Sequence, residues 1–197
     1  MTAPLVSIIG PPAVGKTTLA ELLAEALSAR LVREDYRGNP FLTDASAGKP
    51  QARLPAQLYF LISRASQLSI MLPHEHTEVS DYGFCQDRIY ARELLCQRDY
   101  RLYEKLAARV EKLVRPPDLL VHLDASEDEL LRRIQSRGRA FERTMTRDFL
   151  ARMRNDYNEL TGAIDCEVVH IDTESSDPRE PGTVRKLADR VSKLSAS

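Results

Sequence analysis

The sequence predicts an α/β fold, a five-stranded parallel sheet with helices on both faces. Short apolar runs alternate with amphipathic stretches along the chain, which is the pattern of successive βα units. The run Leu119–Leu123 reads Leu-Leu-Val-His-Leu without polar alternation, as a parallel strand covered on both faces does. The first apolar run also passes through a glycine-rich turn straight into a helical stripe.

Leu5–Ile9 is the first strand, and Thr17–Ala29 follows as a helix. There Leu19, Leu22, Leu23, Ala26 and Leu27 recur at three and four residues, while Lys16, Glu21 and Glu25 fall elsewhere, so one apolar face packs on the sheet. Leu31–Arg33 is a short strand, Pro55–Leu72 a long helix and Thr77–Ser80 a third strand. Helical patterns at 84–97 and 99–114 end at Pro116-Pro117, because proline lacks an N–H and disfavours helix in the residue before it. Leu119–Leu123 follows, with His122 read as a buried histidine whose hydrogen bonds are satisfied. Helices near 126–137 and 146–163, joined by a basic turn, precede the strand Glu167–Ile171, a surface loop over Glu174–Gly182 and a last helix near 181–195. This gives five strands and about seven helices in one domain, residues 1–197, since no repeat, low-complexity tract or linker divides the chain.

With 197 residues, 43% hydrophobic and 29% charged, the chain has the composition of a folded domain. Its 28 Lys and Arg against 29 Asp and Glu leave a net charge of -1, which gives no reason to expect nucleic acid or an acidic membrane as partner. The longest apolar runs, such as Leu58–Ile62, fall far short of the roughly 18 residues that span a bilayer. No basic stretch precedes the first apolar run, so no signal peptide is expected and the protein is placed in the cytoplasm. Cys85, Cys96 and Cys166 form no C-x-x-C pair, which argues for reduced packing residues.

The strongest motif is Gly10-Pro11-Pro12-Ala13-Val14-Gly15-Lys16-Thr17, a G-x-x-x-x-G-K-[ST] loop between strand and helix, with Thr18 next. Its glycines let the backbone turn tightly, so that successive N–H groups point at phosphate oxygens and the helix N-terminus adds partial positive charge. Lys16 then reaches the β- and γ-phosphates of a nucleotide and Thr17 places its hydroxyl on Mg²⁺. A GTPase would show N-K-x-D, which is missing. A motor ATPase would end an apolar strand in Asp-Glu, where this chain has Asp124-Ala125.

The segment Asp81-Tyr82-Gly83-Phe84-Cys85-Gln86-Asp87-Arg88-Ile89-Tyr90-Ala91 resembles the D-Y-x-F-x-x-D-R-I-x-A segment of bacterial members of the deoxyribonucleoside kinase family. Arg33-Glu34 with Asn39-Pro40-Phe41-Leu42, the helix carrying Gln57, Arg64 and Gln67, and the lid-like Arg133-x-x-x-Arg137-Gly138-Arg139-x-x-Glu142 follow the family in matching order. The resemblance spans about residues 5–160 and implies a deoxynucleoside 5′-kinase, with ATP and Mg²⁺, a lid near 133–145 and a homodimer packed through helices 57–71 and 84–114.

Glu34 is then the base that takes the proton of the attacking hydroxyl, standing past a strand end where ligands bind in this fold class. Asp81, also at a strand end, holds Mg²⁺ with Thr17; Asp124 is its rival. Gln57 and Arg64, seven residues apart, project from one helix face. The resemblance gives Gln57 the base, makes Arg64 and Asp87 an ion pair that tunes base choice, sets Glu142 on the sugar 3′-hydroxyl, and puts Arg133, Arg137 and Arg139 over the donor phosphates. Arg132 and Arg143 are read as solvated.

The chain departs from the family where Tyr82 replaces an arginine, for which Arg88 or a lid arginine is the expected substitute. Two other readings follow: a nucleoside monophosphate kinase resembling thymidylate kinase, and a nucleotide-binding module without turnover. His74-Glu75-His76 has too few neighbouring ligands for a metal site.

Overall fold

The computed structural model describes residues 3–142 and 144–194, the side chain of Ala140 excepted. Its strands β1 (Leu5–Ile9), β2 (Arg30–Val32), β3 (Glu78–Ser80), β4 (Leu119–Asp124) and β5 (Glu167–Asp172) form one sheet in the order β2-β3-β1-β4-β5. Every pairing is parallel. Its helices are α1 (Lys16–Leu27), α2 (Leu42–Ser46), α3 (Pro50–Gln67), α4 (Asp87–Leu94), α5 (Gln97–Val110), α6 (Glu127–Arg137), α7 (Arg147–Ala163) and α8 (Pro181–Leu194).

The two faces of β1 explain the layers, because alternate side chains point to opposite sides of a sheet. Val6 and Ile8 pack with Leu19 and Leu23 of α1, Leu130 of α6 and Leu187 of α8. Leu5 packs with Leu61 of α3 and Tyr103 of α5, and Ile9 with Met153 and Tyr157 of α7. Each leucine taken wholly out of water here stabilises the fold by about 2 kcal/mol.

Three expectations are corrected. The long helix begins at Pro50 rather than Pro55, since proline suits a first helical position, and Pro55 sits inside it at the loss of one backbone bond. It stops at Gln67 rather than Leu72, because Leu68 and Ile70 turn their backbone groups to the chain after α5: Arg115 N–H donates to Leu68 and Ile70 N–H to Leu113. The short α2 was not foreseen; its five residues carry no buried stripe.

His122 is buried as expected and its Nδ1 lies 3.1 Å from Nδ1 of His170 on the neighbouring strand, though its Nε2 has no partner among the described residues. His74 is engaged by Glu78 at 3.2 Å and the Ser69 carbonyl at 3.1 Å. No cluster of metal-ligating side chains occurs among the described residues. The three cysteines are free. Arg132 is largely exposed and paired with Glu129, and Arg143 lies outside the described residues. No helix among the described residues is long and apolar enough to cross a membrane.

Candidate functional site

The strand order sets three chain segments side by side at the C-terminal edge of the sheet, where ligands bind in open α/β folds. β1 runs into Gly10, β3 beside it into Asp81, and β2 beside that toward Glu34. At Gly10, φ is 143° and a Cβ would fall 2.2 Å from the Leu123 carbonyl oxygen, so only glycine fits. Ala13 also takes a left-handed φ of 63°, a strain that such loops hold at functional sites.

Lys16 Nζ donates to the carbonyls of Gly10 at 2.7 Å and Pro11 at 2.9 Å. Burial pushes its ammonium down to about 7, with Asp81 acting in the opposite direction. Thr17 Oγ1 donates to Asp81 Oδ2 at 2.8 Å, and the Glu34 N–H donates to Asp81 Oδ1 at 2.8 Å. Burial raises the Asp81 carboxyl above its ordinary value, while Thr17 and Lys16 restrain the rise. A hydroxyl and a carboxylate in contact are hard oxygen donors of the kind magnesium takes beside phosphate oxygens.

On α3, Arg64 is 5% exposed and pairs with both Glu34 and Asp87. Its guanidinium lies 5.1 Å from the ring centroid of Phe60 and 5.4 Å from that of Tyr82. Glu34 therefore joins the two ends of the site, its backbone on Asp81 and its carboxylate on Arg64. Gln57 shares the cavity wall with Arg64.

At the end of α6, Arg137 Nε donates to Glu142 Oε2 at 3.1 Å and Arg137 also pairs with Glu142 Oε1. Glu142 is buried. Arg139 stacks over Tyr36, 4.7 Å from its centroid. Arg133 bonds Glu129 at 2.6 Å, Thr173 at 2.9 Å and 3.1 Å, and the Val14 carbonyl at 3.4 Å. It braces the phosphate loop against the chain after β5.

These groups surround one cavity of about 1300 Å³, lined by Pro12–Thr18, Glu34, Gln57, Arg64, Asp81, Arg133, Arg137, Arg139 and Glu142. That exceeds the usual range for a single small ligand, about 300–1,000 Å³. Asp87 is 3% exposed and acts on the cavity through Arg64.

Other expected residues are not brought in. Arg88 is held by Glu104 and Glu111, each at 2.9 Å, so it does not stand in for the arginine that Tyr82 replaces. Tyr82 is fully buried and donates to Gln67 Oε1 at 2.6 Å; Gln67 Nε2 in turn donates to the Arg33 carbonyl at 3.1 Å. Asp124 accepts from Arg154 at 2.8 and 2.7 Å, whereas Asp81 meets Thr17. Sequence reasoning missed Tyr36, Phe60 and Phe141, all cavity-lining. Phe60 was within reach, since it stands three residues after Gln57 and four before Arg64, on the same helix face.

A family model described as deoxynucleoside kinase matches residues 6–194. The chain is 31% identical over 160 residues to the deoxyadenosine kinase of Dictyostelium discoideum, covering 79% of this chain and 65% of that enzyme. It is 28% identical over 160 residues to the deoxyguanosine kinase of Bacillus subtilis (strain 168), covering 79% and 77%. In fold it is similar to the deoxyadenosine kinase from M. mycoides solved with dCMP and a flexible dCDP bound, with a TM-score of 0.81, 20% identity, and 96% and 99% of the two chains covered.

Proposed function

The chain belongs to the deoxynucleoside kinase family, and from that premise we propose the reaction of its cavity: the γ-phosphoryl group of ATP passes to the 5′-hydroxyl of a deoxynucleoside. One observation carries the reading. A single cavity of about 1300 Å³ has the phosphate loop at one end and Gln57 with Arg64 at the other, and Glu34 contacts both Asp81 and Arg64 between them. Such a space seats a triphosphate and a nucleoside together, and phosphoryl transfer is mainly a matter of that positioning.

At the donor end, the loop from Gly10 to Thr18 cradles the phosphates. Lys16 leaves the Gly10 and Pro11 carbonyls for the β- and γ-phosphates. Thr17 and Asp81 hold Mg²⁺, which when bound neutralises charge on the triphosphate. Arg137 and Arg139 close over the transferring group, with forks that match phosphate oxygens. At the acceptor end, Gln57 pairs with the base through donor and acceptor atoms of one amide. Arg64 and Asp87 shape the pocket beside it, Glu142 takes the sugar 3′-hydroxyl, and Glu34 orients the 5′-hydroxyl and accepts its proton.

The protein is placed in the cytoplasm as a homodimer. Ile62 of α3 and Leu102 and Leu106 of α5 are 57%, 49% and 42% exposed, on two helices that pack against each other, and a second copy of the same face would cover them. γ-Phosphoryl transfer from Mg·ATP to the four deoxynucleosides, their ribose counterparts and their monophosphates tests the reading, with Lys16→Ala as control. Transfer to nucleosides, with deoxyadenosine and deoxyguanosine tried first, is the expected result. Transfer to monophosphates alone would replace the acceptor named here.

A further inference from the structure

On the footing of that reaction, we propose that Tyr36 is a positioning residue, which ties closure of the turn at residues 137–142 to occupancy of the acceptor end of the cavity. Tyr36 stands two residues beyond Glu34, in the loop between β2 and α2. Its ring receives the Arg139 guanidinium at 4.7 Å, with the Phe141 ring centroid 5.9 Å away and 5.8 Å between Arg139 and Phe141. A planar guanidinium can stack on a ring and still offer its N–H edge to a phosphate. Arg139 is therefore held in place by a residue of the acceptor loop.

That loop is itself fastened to the acceptor helix. Asp35 accepts from the Tyr59 hydroxyl at 2.5 Å and from the Gly38 N–H at 2.9 Å. The fit is close: a Cβ on Gly38 would fall 2.2 Å from Asp35 Oδ2 and 2.5 Å from the Tyr59 oxygen. Tyr59 follows Gln57 by two residues on α3. A continuous set of contacts thus runs from α3 through Asp35 and Tyr36 to Arg139, and from the same turn Arg137 and Glu142 line the cavity that also holds Lys16. A nucleoside seated against Gln57 and Glu34 steadies the loop that carries Tyr36, and the turn closes on a fixed ring. Without the nucleoside the ring is less fixed, and closure over ATP with water in the acceptor place is disfavoured.

The test uses the full chain with Mg·ATP and its best deoxynucleoside, comparing wild type, Tyr36→Leu, Tyr36→Phe, Arg139→Met and the Tyr36→Leu/Arg139→Met double variant. The readouts are kcat, both KM values and phosphate release without acceptor. In that side reaction a water oxygen bonds to the γ-phosphorus as its bond to the β–γ bridging oxygen breaks, ADP leaves and the proton passes to solvent. Loss of the stack is expected to raise acceptor KM about five- to tenfold in Tyr36→Leu. The ratio of phosphate release to transfer rises with it. Arg139→Met shows the same rise in acceptor KM together with a larger loss of kcat, because it also takes the guanidinium off the phosphate; the double variant is no worse than Arg139→Met alone, and Tyr36→Phe matches wild type because the ring remains. Additive losses, a change confined to ATP KM, or a Tyr36→Phe as impaired as Tyr36→Leu would overturn the proposal. If wild-type protein transfers to no nucleoside, the assigned reaction fails first. The latch is then read from trypsin cleavage after Arg137 and Arg139 under Mg·ATP, which Tyr36→Leu accelerates if the contact holds the turn and leaves unchanged if it does not.

Discussion

The Thr17 hydroxyl donates to Oδ2 of Asp81 at 2.8 Å, across 64 positions of sequence. The hydrogen bond aims a carboxylate at the phosphate loop, and burial has already made that carboxylate's charge expensive. Asp124 is placed differently, with both oxygens on Arg154. Asp81→Asn is expected to lower kcat by about a hundredfold or more, near 3 kcal/mol, with a higher magnesium requirement. Asp124→Asn keeps the same magnesium dependence. Rates measured against magnesium concentration decide the pair, and the reverse pattern would make Asp124 the metal ligand.

Glu34→Gln tests the base. Its carboxylate touches Arg64, which keeps Asp87 as partner in the variant, so the wall of the cavity stays charged and paired. Removal of a positioned base is expected to cost about a hundredfold to ten-thousandfold in kcat, with acceptor KM nearly unchanged. Equal turnover of the two proteins at saturating nucleoside would remove Glu34 from the proton transfer.

Lys16 gives a pH signature. Half-buried behind the phosphate loop, its ammonium is pushed down from an ordinary 10.5 to about 7 by the loss of water around it. Below pH 7 folded and unfolded chains both hold the proton; between 7 and 10.5 the unfolded chain holds one that the folded chain has released. Unfolding free energy contributed by Lys16 therefore rises with pH across that window. Triphosphate favours the charged form, so ATP binding at pH 8 is expected to draw most of one proton from solution. Calorimetry in two buffers of different ionisation enthalpy measures the uptake, and Lys16→Met abolishes it. Uptake unchanged in the variant would assign the proton elsewhere.

The elements that position the site were legible because their causes are local. The strand before Gly10, the glycine turn and the stripe of α1 each follow from a few neighbouring residues, as does the burial of Leu119–Leu123. The helix around Gln57 and Arg64 was legible in its face and not in its ends. Its true start rests on Pro50, and its end on backbone bonds to a segment more than 40 residues away. The resemblance named Glu34, Asp81 and Arg64 but gave no hint that Glu34 would join the other two, since that depends on β2 lying beside β3. Tyr36 and Arg139 are more than 100 residues apart, and nothing in the spacing of either marks them as a stacked pair. Arg133 and Asp124 carried the right chemistry, but each is met by a partner that only the packed chain supplies.

His122 offers a last expectation, for stability in acid. Burial pushes its imidazole down to about 4, beside His170 and against the ring of Tyr157. The unfolded chain binds a proton near 6.5. Between 6.5 and 4 the unfolded state therefore holds a proton that the folded state refuses, and stability falls as pH falls through that range, then levels below 4. The carboxyl groups of the molecule titrate over part of the same window, so the wild-type curve alone does not isolate His122. The comparison with His122→Leu does: strand β4 accepts an apolar side chain at this buried position, and His170, exposed on β5, is left facing solvent rather than buried without a partner. Urea unfolding at pH 7 and pH 4.5 is expected to show a loss in the wild type that exceeds the loss in His122→Leu by about 2 kcal/mol. Equal losses in the two proteins would mean that His122 takes up its proton without unfolding the chain around it, through a rearrangement that leaves the imidazolium hydrated.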